Sequence, residues 1–549
     1  MMVLLWTAQT SPGLPKIGVP VGHKISLAGT FGELRPDHFH TGMDIKSSQG
    51  TVGDSIFAVD DGFIHRIVVS SVGFGYGLYI SHPHGYTSVY GHLHGFRQDL
   101  AEYTYQHQIK VKSWAINAYP GPEKFRVKRG DFIGYLGNSG SSQGPHLHFE
   151  MRRSSDSRLF NPSQFGIPYE DNIKPYIKYL AVYRRGYTRP VHTQPVFGDL
   201  AEDTLQLPVG EYALGLEIFD QMNGSANRNG IQSVELVYND RLTYQVNINE
   251  LAFSDNRYTN ALLDYQLLRT EDRYVYRLFN LPGNKFQGSQ VPGQGYFSLP
   301  GDGQMHQARI IVKDAHGNTR LLHVNLQANA QLKDPPVQAH DRLIRPEERF
   351  QYLTDYFQVD IPPYAFYEKV PWSLLTHKEH DPGIFSTVYQ LMDCIIPVAE
   401  KFTIRIKPHA YPPAIKEKLF IARCDDQGEM SYQGGEWQEG FIKARCEEFG
   451  TFLLMADTVA PTITLARFPL KWSGQPQVAI LITDNVEGNP LTYNSYLGTT
   501  WIPMAYDAKN DLLFFDHKIS FPPGEHEFRL IVEDGHKNKA EFKRKISIQ

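Results

Sequence analysis

Glycine and proline interrupt this chain almost everywhere, with 46 Gly and 35 Pro in 549 residues. Both residues punctuate helices and build turns, so long runs of helical periodicity have no room to develop. What recurs instead are short runs of alternating apolar residues bounded by turn formers, the pattern of strands. The chain is therefore expected to be all-β. Its length exceeds what one core organises and predicts roughly three to five domains. Apolar residues make up 41% of it, enough to fill such cores. A formal net charge of −5 gives no basic surface for nucleic acid and no polybasic tract for a membrane. No segment has the length of a transmembrane helix.

The strands group into regions. Residues 1–20 open with Met1-Met2-Val3-Leu4-Leu5-Trp6, a short apolar run without a basic start, expected to be a leader or the remnant of a signal peptide. Residues 21–170 carry hairpin patterns. Ser55–Val59 leads through Asp60-Asp61-Gly62 into Phe63–Val69, and Leu78–His82 leads through Pro83-His84-Gly85 into Tyr86–His92. Phe132–Leu136 and His146–Arg152 read as two further strands. Residues 171–332 and 457–549 are expected to be immunoglobulin-like sandwiches. Their ends resemble each other: Ala308–Val312 followed by Lys313-Asp314-Ala315-His316-Gly317-Asn318, and Phe528–Val532 followed by Glu533-Asp534-Gly535-His536-Lys537-Asn538. Residues 333–456 form a further β-rich region of unassigned topology, opening at Lys333-Asp334-Pro335-Pro336. Of the three cysteines, Cys394, Cys424 and Cys446, the last two flank a turn-rich stretch. They either pair in an oxidising compartment or stay as two buried thiols.

The chemistry concentrates in the second region. His40-Thr41-Gly42-Met43-Asp44 and Gly144-Pro145-His146-Leu147-His148-Phe149-Glu150 together supply histidines and a carboxylate. In a strand, side chains alternate with period two, so His146 and His148 share a face. Asp44 follows His40 by four residues with a glycine between, and a turn can bring both to one point. Two imidazoles and a carboxylate suit zinc, and three protein ligands leave a position for water, the pattern of a catalytic site. The His-x-His spacing means little alone, because His38/His40, His82/His84 and His92/His94 share it. The first motif, Tyr90-Gly91-His92-Leu93 and the last motif occur together and in order, and that combination is specific.

These three segments resemble the lysostaphin/LytM-type zinc endopeptidases of family M23, as does Val127–Gly134. The likeness covers about residues 25–165. It implies a LytM-type antiparallel β catalytic domain holding one Zn²⁺, with peptidoglycan peptides as substrate. It further implies that His40, Asp44 and His148 are zinc ligands and that His92 and His146 are the catalytic pair, acting on the water and on the oxyanion. Spacing alone does not say which of His146 and His148 binds metal. Glu150 is expected either behind the ligands or in an ion pair with an arginine. An exported location, in the periplasm or cell envelope, follows from that function. The accessory β domains are expected to meet the wall or an envelope protein. A competing reading is a non-catalytic peptidoglycan-binding or hydrolase-activating protein.

Two features depart from the family. Phe31-Gly32-Glu33-Leu34-Arg35 places its arginine one position later than the usual motif, which weakens a substrate-binding role for Arg35. Gly95–Arg126 is longer than usual and carries Tyr103, Tyr105, Trp114 and Tyr119. It is expected to be a lid over the cleft or an exposed loop with its aromatics packed on the core.

Overall fold

The computed structural model describes residues 13–549, except 199–203, 291, 335, 337–339, 379–380 and 517–520. The apolar start at Met1–Trp6 and Pro335 lie outside the described residues. Strands dominate, in agreement with the all-β expectation.

The first region is built on a large antiparallel sheet. Its elements in chain order are β1 (Leu27–Gly29), β2 (Met43–Lys46), β3 (Ser55–Phe57), β4 (Gly62–Val69), β5 (Tyr76–Ser81), β6 (Tyr86–Leu93), β7 (Gly95–Phe96), α1 (Gln98–Val111), β8 (Ile116–Ala118), β9 (Arg126–Val127), β10 (Phe132–Tyr135), β11 (His146–Arg153) and β12 (Leu159–Phe160). The large sheet runs β1-β2-β11-β6-β5-β4-β8, and a small one runs β3-β10-β7. A single core joins them, with Ile45, Leu78, Ile80, Leu147 and Phe149 from the large sheet meeting Ile56 and Ile133 from the small one.

The β5–β6 hairpin forms as its alternation predicts, with Ile80 opposite Ser88 and Ser81 opposite Thr87. The expected hairpin of Ser55–Val59 with Phe63–Val69 does not form. β3 pairs with β10, and β4 pairs with β5. The backbone of Ala58 bonds instead with Asp131 and Gly130, and the Val59 amide donates to the Tyr90 hydroxyl at 3.0 Å. The Asp60-Asp61-Gly62 turn thus carries the chain between sheets, because its neighbours already have partners.

The long stretch after His94 is not an open loop, and its aromatics largely pack on cores as one of the two expectations had it. It folds into α1 and β8. Leu100 and Thr104 face inward, Tyr103 packs on the core, and Trp114 is buried beside Tyr76. Tyr105 packs against the core of the C-terminal module, and the Trp114 indole donates to Asp516 at 3.1 Å. Of the four aromatics only Tyr119 is exposed.

Three two-sheet modules follow. The first has five strands facing six around Leu180, Leu214, Val234, Ile310 and Leu322. The second, over about 343–456, packs two five-stranded sheets around Phe402, Ile404, Ile421 and Leu454. The last packs four strands against five around Trp472, Ile480, Leu530 and Ile546. The first and last share a strand plan. In each, a short strand runs parallel to the final one, Leu205–Leu207 on Thr319–Ala328 and Lys471–Trp472 on Lys539–Ile548, and the final two strands form a long hairpin. The likeness of the two chain segments therefore extends to their topology. Cys424 and Cys446 stand in different sheets of the second module, and all three cysteines are free thiols.

Candidate metal centre

Register, not sequence proximity, assembles the site. On the large sheet His148 of β11 lies opposite Asp44 of β2 on one side and Gly91 of β6 on the other. His40 enters from the turn ahead of β2. The His148 Nδ1 atom lies 2.8 Å from Asp44 Oδ1, and His40 Nε2 lies 3.0 Å from the same oxygen and 3.1 Å from His148 Nδ1. All three residues are buried, and their donor atoms lie within 4.8 Å of one another. His146 projects from the same face of β11, its Nε2 3.4 Å from Asp44 Oδ1. His92 follows Gly91 on β6, its ring centroid 4.8 Å from that of His146. The five residues singled out in the sequence thus converge on one point.

Each imidazole is held from behind. His40 Nδ1 bonds to the Thr30 carbonyl at 2.8 Å, His92 Nδ1 to the Ser139 carbonyl at 2.8 Å, and His146 Nδ1 to the Gly144 carbonyl at 2.8 Å. His148 Nε2 lies 3.0 Å from Glu150 Oε1. A carbonyl at one nitrogen of a neutral ring requires a proton there, which leaves the lone pair on the other nitrogen. In His40, His146 and His148 that other nitrogen lies 3.0, 3.4 and 2.8 Å from Asp44 Oδ1. Glu150 answers to both expectations: it backs His148 and also pairs with Arg152, while Thr41 donates to it at 2.5 Å.

Glycines make the approach possible. A Cβ on Gly42 would stand 2.5 Å from the Phe149 carbonyl oxygen and 2.9 Å from both Glu150 Cγ and His148 Nε2. A Cβ on Gly29 would stand 2.9 Å from Asp44 Oδ2. The spacing of His-x-Gly-x-Asp thus has a steric cause. His92 takes a left-handed backbone, φ 60°, a conformation that costs a non-glycine residue energy and concentrates at functional sites.

The charges are tuned accordingly. Burial opposes ionisation of Asp44, yet His40, His146 and His148 outweigh it and hold the carboxyl well below its ordinary range. Burial, with His148 and His146 beside it, pushes His92 down to about 3, so that ring is neutral. Burial also lowers His40. Burial works against the proton on His148, but Asp44 and Glu150 raise it to about 9. Such strongly perturbed groups sharing one cleft mark a site built for chemistry.

Sequence reasoning missed Arg35. Its Nη2 donates to Asp44 Oδ2 at 2.9 Å, with Glu33 on its other side. The guanidinium occupies the outer oxygen of Asp44 and leaves Oδ1 to face the imidazoles. The signal was the Phe-Gly-x-Arg motif displaced by one residue. Phe74 was also missed; it stacks on the His148 ring at 5.1 Å. His82 is a structural histidine, bonded to the Asp61 carbonyl and the Ser88 hydroxyl.

Comparison with known proteins bears on this geometry. The model of peptidase family M23 matches residues 98–162, which include His146 and His148, and that of a Zu5-like domain matches residues 341–457. The DD-carboxypeptidase/endopeptidase Mpg of Neisseria meningitidis serogroup B is 30% identical over 153 residues, 28% of this chain and 27% of that protein. An uncharacterized metalloprotease of Haemophilus influenzae is 30% identical over 137 residues, 25% of this chain and 22% of that protein. The catalytic domain of the prophage-encoded M23 protein EnpA of Enterococcus faecalis is 25% identical, over 27% of this chain and 95% of that one, with a TM-score of 0.20. The chain spans about a quarter of the length of these curated relatives. It carries a domain of peptidase family M23.

Among the described residues no helix is long and apolar enough to cross a membrane.

Proposed function

We propose that this protein is a zinc-dependent endopeptidase that hydrolyses peptide bonds in the stem peptides or cross-links of peptidoglycan. The observation that carries the reading is the convergence of four imidazoles, each tied at its outer nitrogen to an acceptor, around one face of Asp44. His40 Nε2, Asp44 Oδ1 and His148 Nδ1 form a donor set of two nitrogens and one carboxylate oxygen, which fits zinc. Bound there, zinc supplies Lewis acidity and lowers the pKa of a water to about 7. Glu150 and the Thr30 carbonyl orient the two ligand rings, a role worth roughly 10–100-fold in metal affinity.

His146 and His92 are the groups left to handle protons. Each presents an Nε2 lone pair while a backbone carbonyl holds its Nδ1 proton. His146 accepts the proton of the attacking water and returns it to the leaving amine. His92, buried and neutral, stands beside His146 and lines the position of the developing oxyanion. Arg35 fixes Asp44.

The three β modules are proposed to seat the enzyme at the wall or on an envelope protein. The first and last are read as immunoglobulin-like. Location in the periplasm or cell envelope follows from the substrate. The test is digestion of purified sacculi by zinc-loaded protein, with released muropeptides identified by mass. His146→Ala should keep zinc and lose cleavage, whereas His40→Ala should lose zinc. Wild-type protein that holds zinc and cuts no peptide bond in peptidoglycan would overturn the reading.

A further inference from the structure

A second cluster of metal-ligating groups lies outside this cleft. We infer that Asp171, Asp220 and Asp314, with Asn229, bind a hard divalent cation, Ca²⁺, at the seam between the peptidase domain and the first accessory module. The three carboxylates each offer an oxygen within 4.8 Å of the others. Asp171, Asp220 and Asn229 line a cavity of about 10 Å³, room for one water-sized occupant, whose other wall is formed by Leu27, Thr30 and Tyr169 of the peptidase domain.

Acidic clusters are common, and two further observations separate this one. The first is unmet bonding capacity. Asp220 is 3% exposed and its Oδ1 has no hydrogen-bond partner; Asn229 is equally buried, and neither its Oδ1 nor its Nδ2 has one. Their backbones are locked to each other, Asp220 N to Asn229 O at 2.9 Å and Asn229 N to Asp220 O at 2.8 Å. Buried polar atoms without partners are rare and costly. No lysine or arginine pairs with any of the three carboxylates among the described residues. Burial and the two neighbouring carboxylates push Asp220 up to about 8.

The second observation is the repeat. Asp457, Asp484 and Asp534 occupy the same places in the last module: five residues before its first strand, directly after Ala479–Thr483, and directly after Gly524–Glu533. There the module's own side chains enter the cluster, although Asp484 Oδ1 also lacks a partner. The Asn489 amide donates to Asp457 at 2.9 Å and to Asp484 at 2.7 Å, and His536 lies 3.4 Å from Asp457. In the first module the matching His316 turns away and bonds the Tyr169 carbonyl at 3.0 Å. One scaffold therefore carries an acidic cluster bonded by an amide of its own in one copy, whereas in the other the buried Asn229 amide bonds none of the carboxylates. Three carboxylates and an amide oxygen are hard donors, the set Ca²⁺ takes with six to eight oxygens.

The seam position gives the cation a structural task. Gly230, next to Asn229, exchanges hydrogen bonds with the Thr30 hydroxyl at 3.0 and 3.3 Å, and the Thr30 carbonyl holds His40.

The test is calorimetric titration of calcium-free, zinc-loaded full-length protein with CaCl₂. One site per chain is expected, with a dissociation constant of about 1 mM or tighter, the range of extracellular modules. Asp220→Asn should weaken it at least tenfold, and Asp484→Asn should leave it unchanged. Asn229→Asp, which adds a carboxylate, should tighten it, and decides the matter if Asp220→Asn does not fold. The inference is overturned if wild type takes up no Ca²⁺ at about 10 mM, if Asp220→Asn binds as wild type does, if Asn229→Asp fails to tighten binding, or if MgCl₂ binds equally well.

Discussion

Gly42→Ala is the sharpest test of how the metal centre is assembled. The added methyl would meet the Phe149 carbonyl oxygen at 2.5 Å and two atoms of the His148–Glu150 pair at 2.9 Å. The nearest atom is backbone of β11 and cannot rotate away. β11 or the His40–Asp44 turn must yield by about 0.5 Å to restore even 3.0 Å. Overpacking of this kind costs roughly 1–3 kcal/mol. For a unit of this size that is a fall in Tm of about 2–12 °C. The same displacement disturbs the 3.0 Å contact between His148 and Glu150. Disturbing such a support lowers metal affinity roughly 10–100-fold. Zinc affinity measured by competition with a chromogenic chelator, alongside calorimetric melting, reads both effects. Gly121→Ala is the control, because a Cβ there meets open space. A Gly42→Ala protein with wild-type zinc affinity and unchanged melting would refute the steric account of the motif.

Other substitutions separate the roles around the site. Glu150→Gln preserves volume but removes a buried charge that pairs with Arg152 and His148, and should cut zinc affinity about tenfold; unchanged affinity would make Glu150 only a structural anion. Lys509→Ala removes the donor that ties the last module to the carbonyls of Asn138 and Ser142, in the loop that holds His92 and His146. Turnover should fall, with KM and melting little changed; a rise in turnover would mean that the contact restrains the site. Thiol titration should find three free thiols in denatured, unreduced protein. In the native state Cys446, whose thiol burial pushes up to about 12, should resist alkylation at pH 8; rapid labelling would contradict its burial.

Much of the site was legible because its signals are local. The alternation of β11 puts His146 and His148 on one face, and Gly42 announces a close approach between His40 and Asp44. Only the family resemblance proposed which of His146 and His148 is a metal ligand. What holds those rings is mostly backbone, the carbonyls of Thr30, Ser139 and Gly144, and a carbonyl has no side-chain signature. The same blindness explains the hairpin that failed. Ser55–Val59 and Phe63–Val69 have the pattern of paired strands, but the loop Lys128–Asp131 supplies competing partners from far along the chain. Gly95–Arg126 looked like a lid because its helix is short and its aromatics are spread out; they serve two cores, one in another module.

By itself the sequence determined the all-β class, the candidate residues of the site and the likeness of the first and last modules, because each rests on residue type, short motifs and short-range period. Only the tertiary structure decided that Asp44 meets His148 across a strand pair and that Arg35 takes the outer oxygen of Asp44. It also decided that two equivalent acidic clusters differ, one bonded by the Asn489 amide and the other with an Asn229 amide that has no partner. Those outcomes depend on register and on which polar groups are already paired, and the pairing of Asp44 with His148 spans 104 positions of the chain.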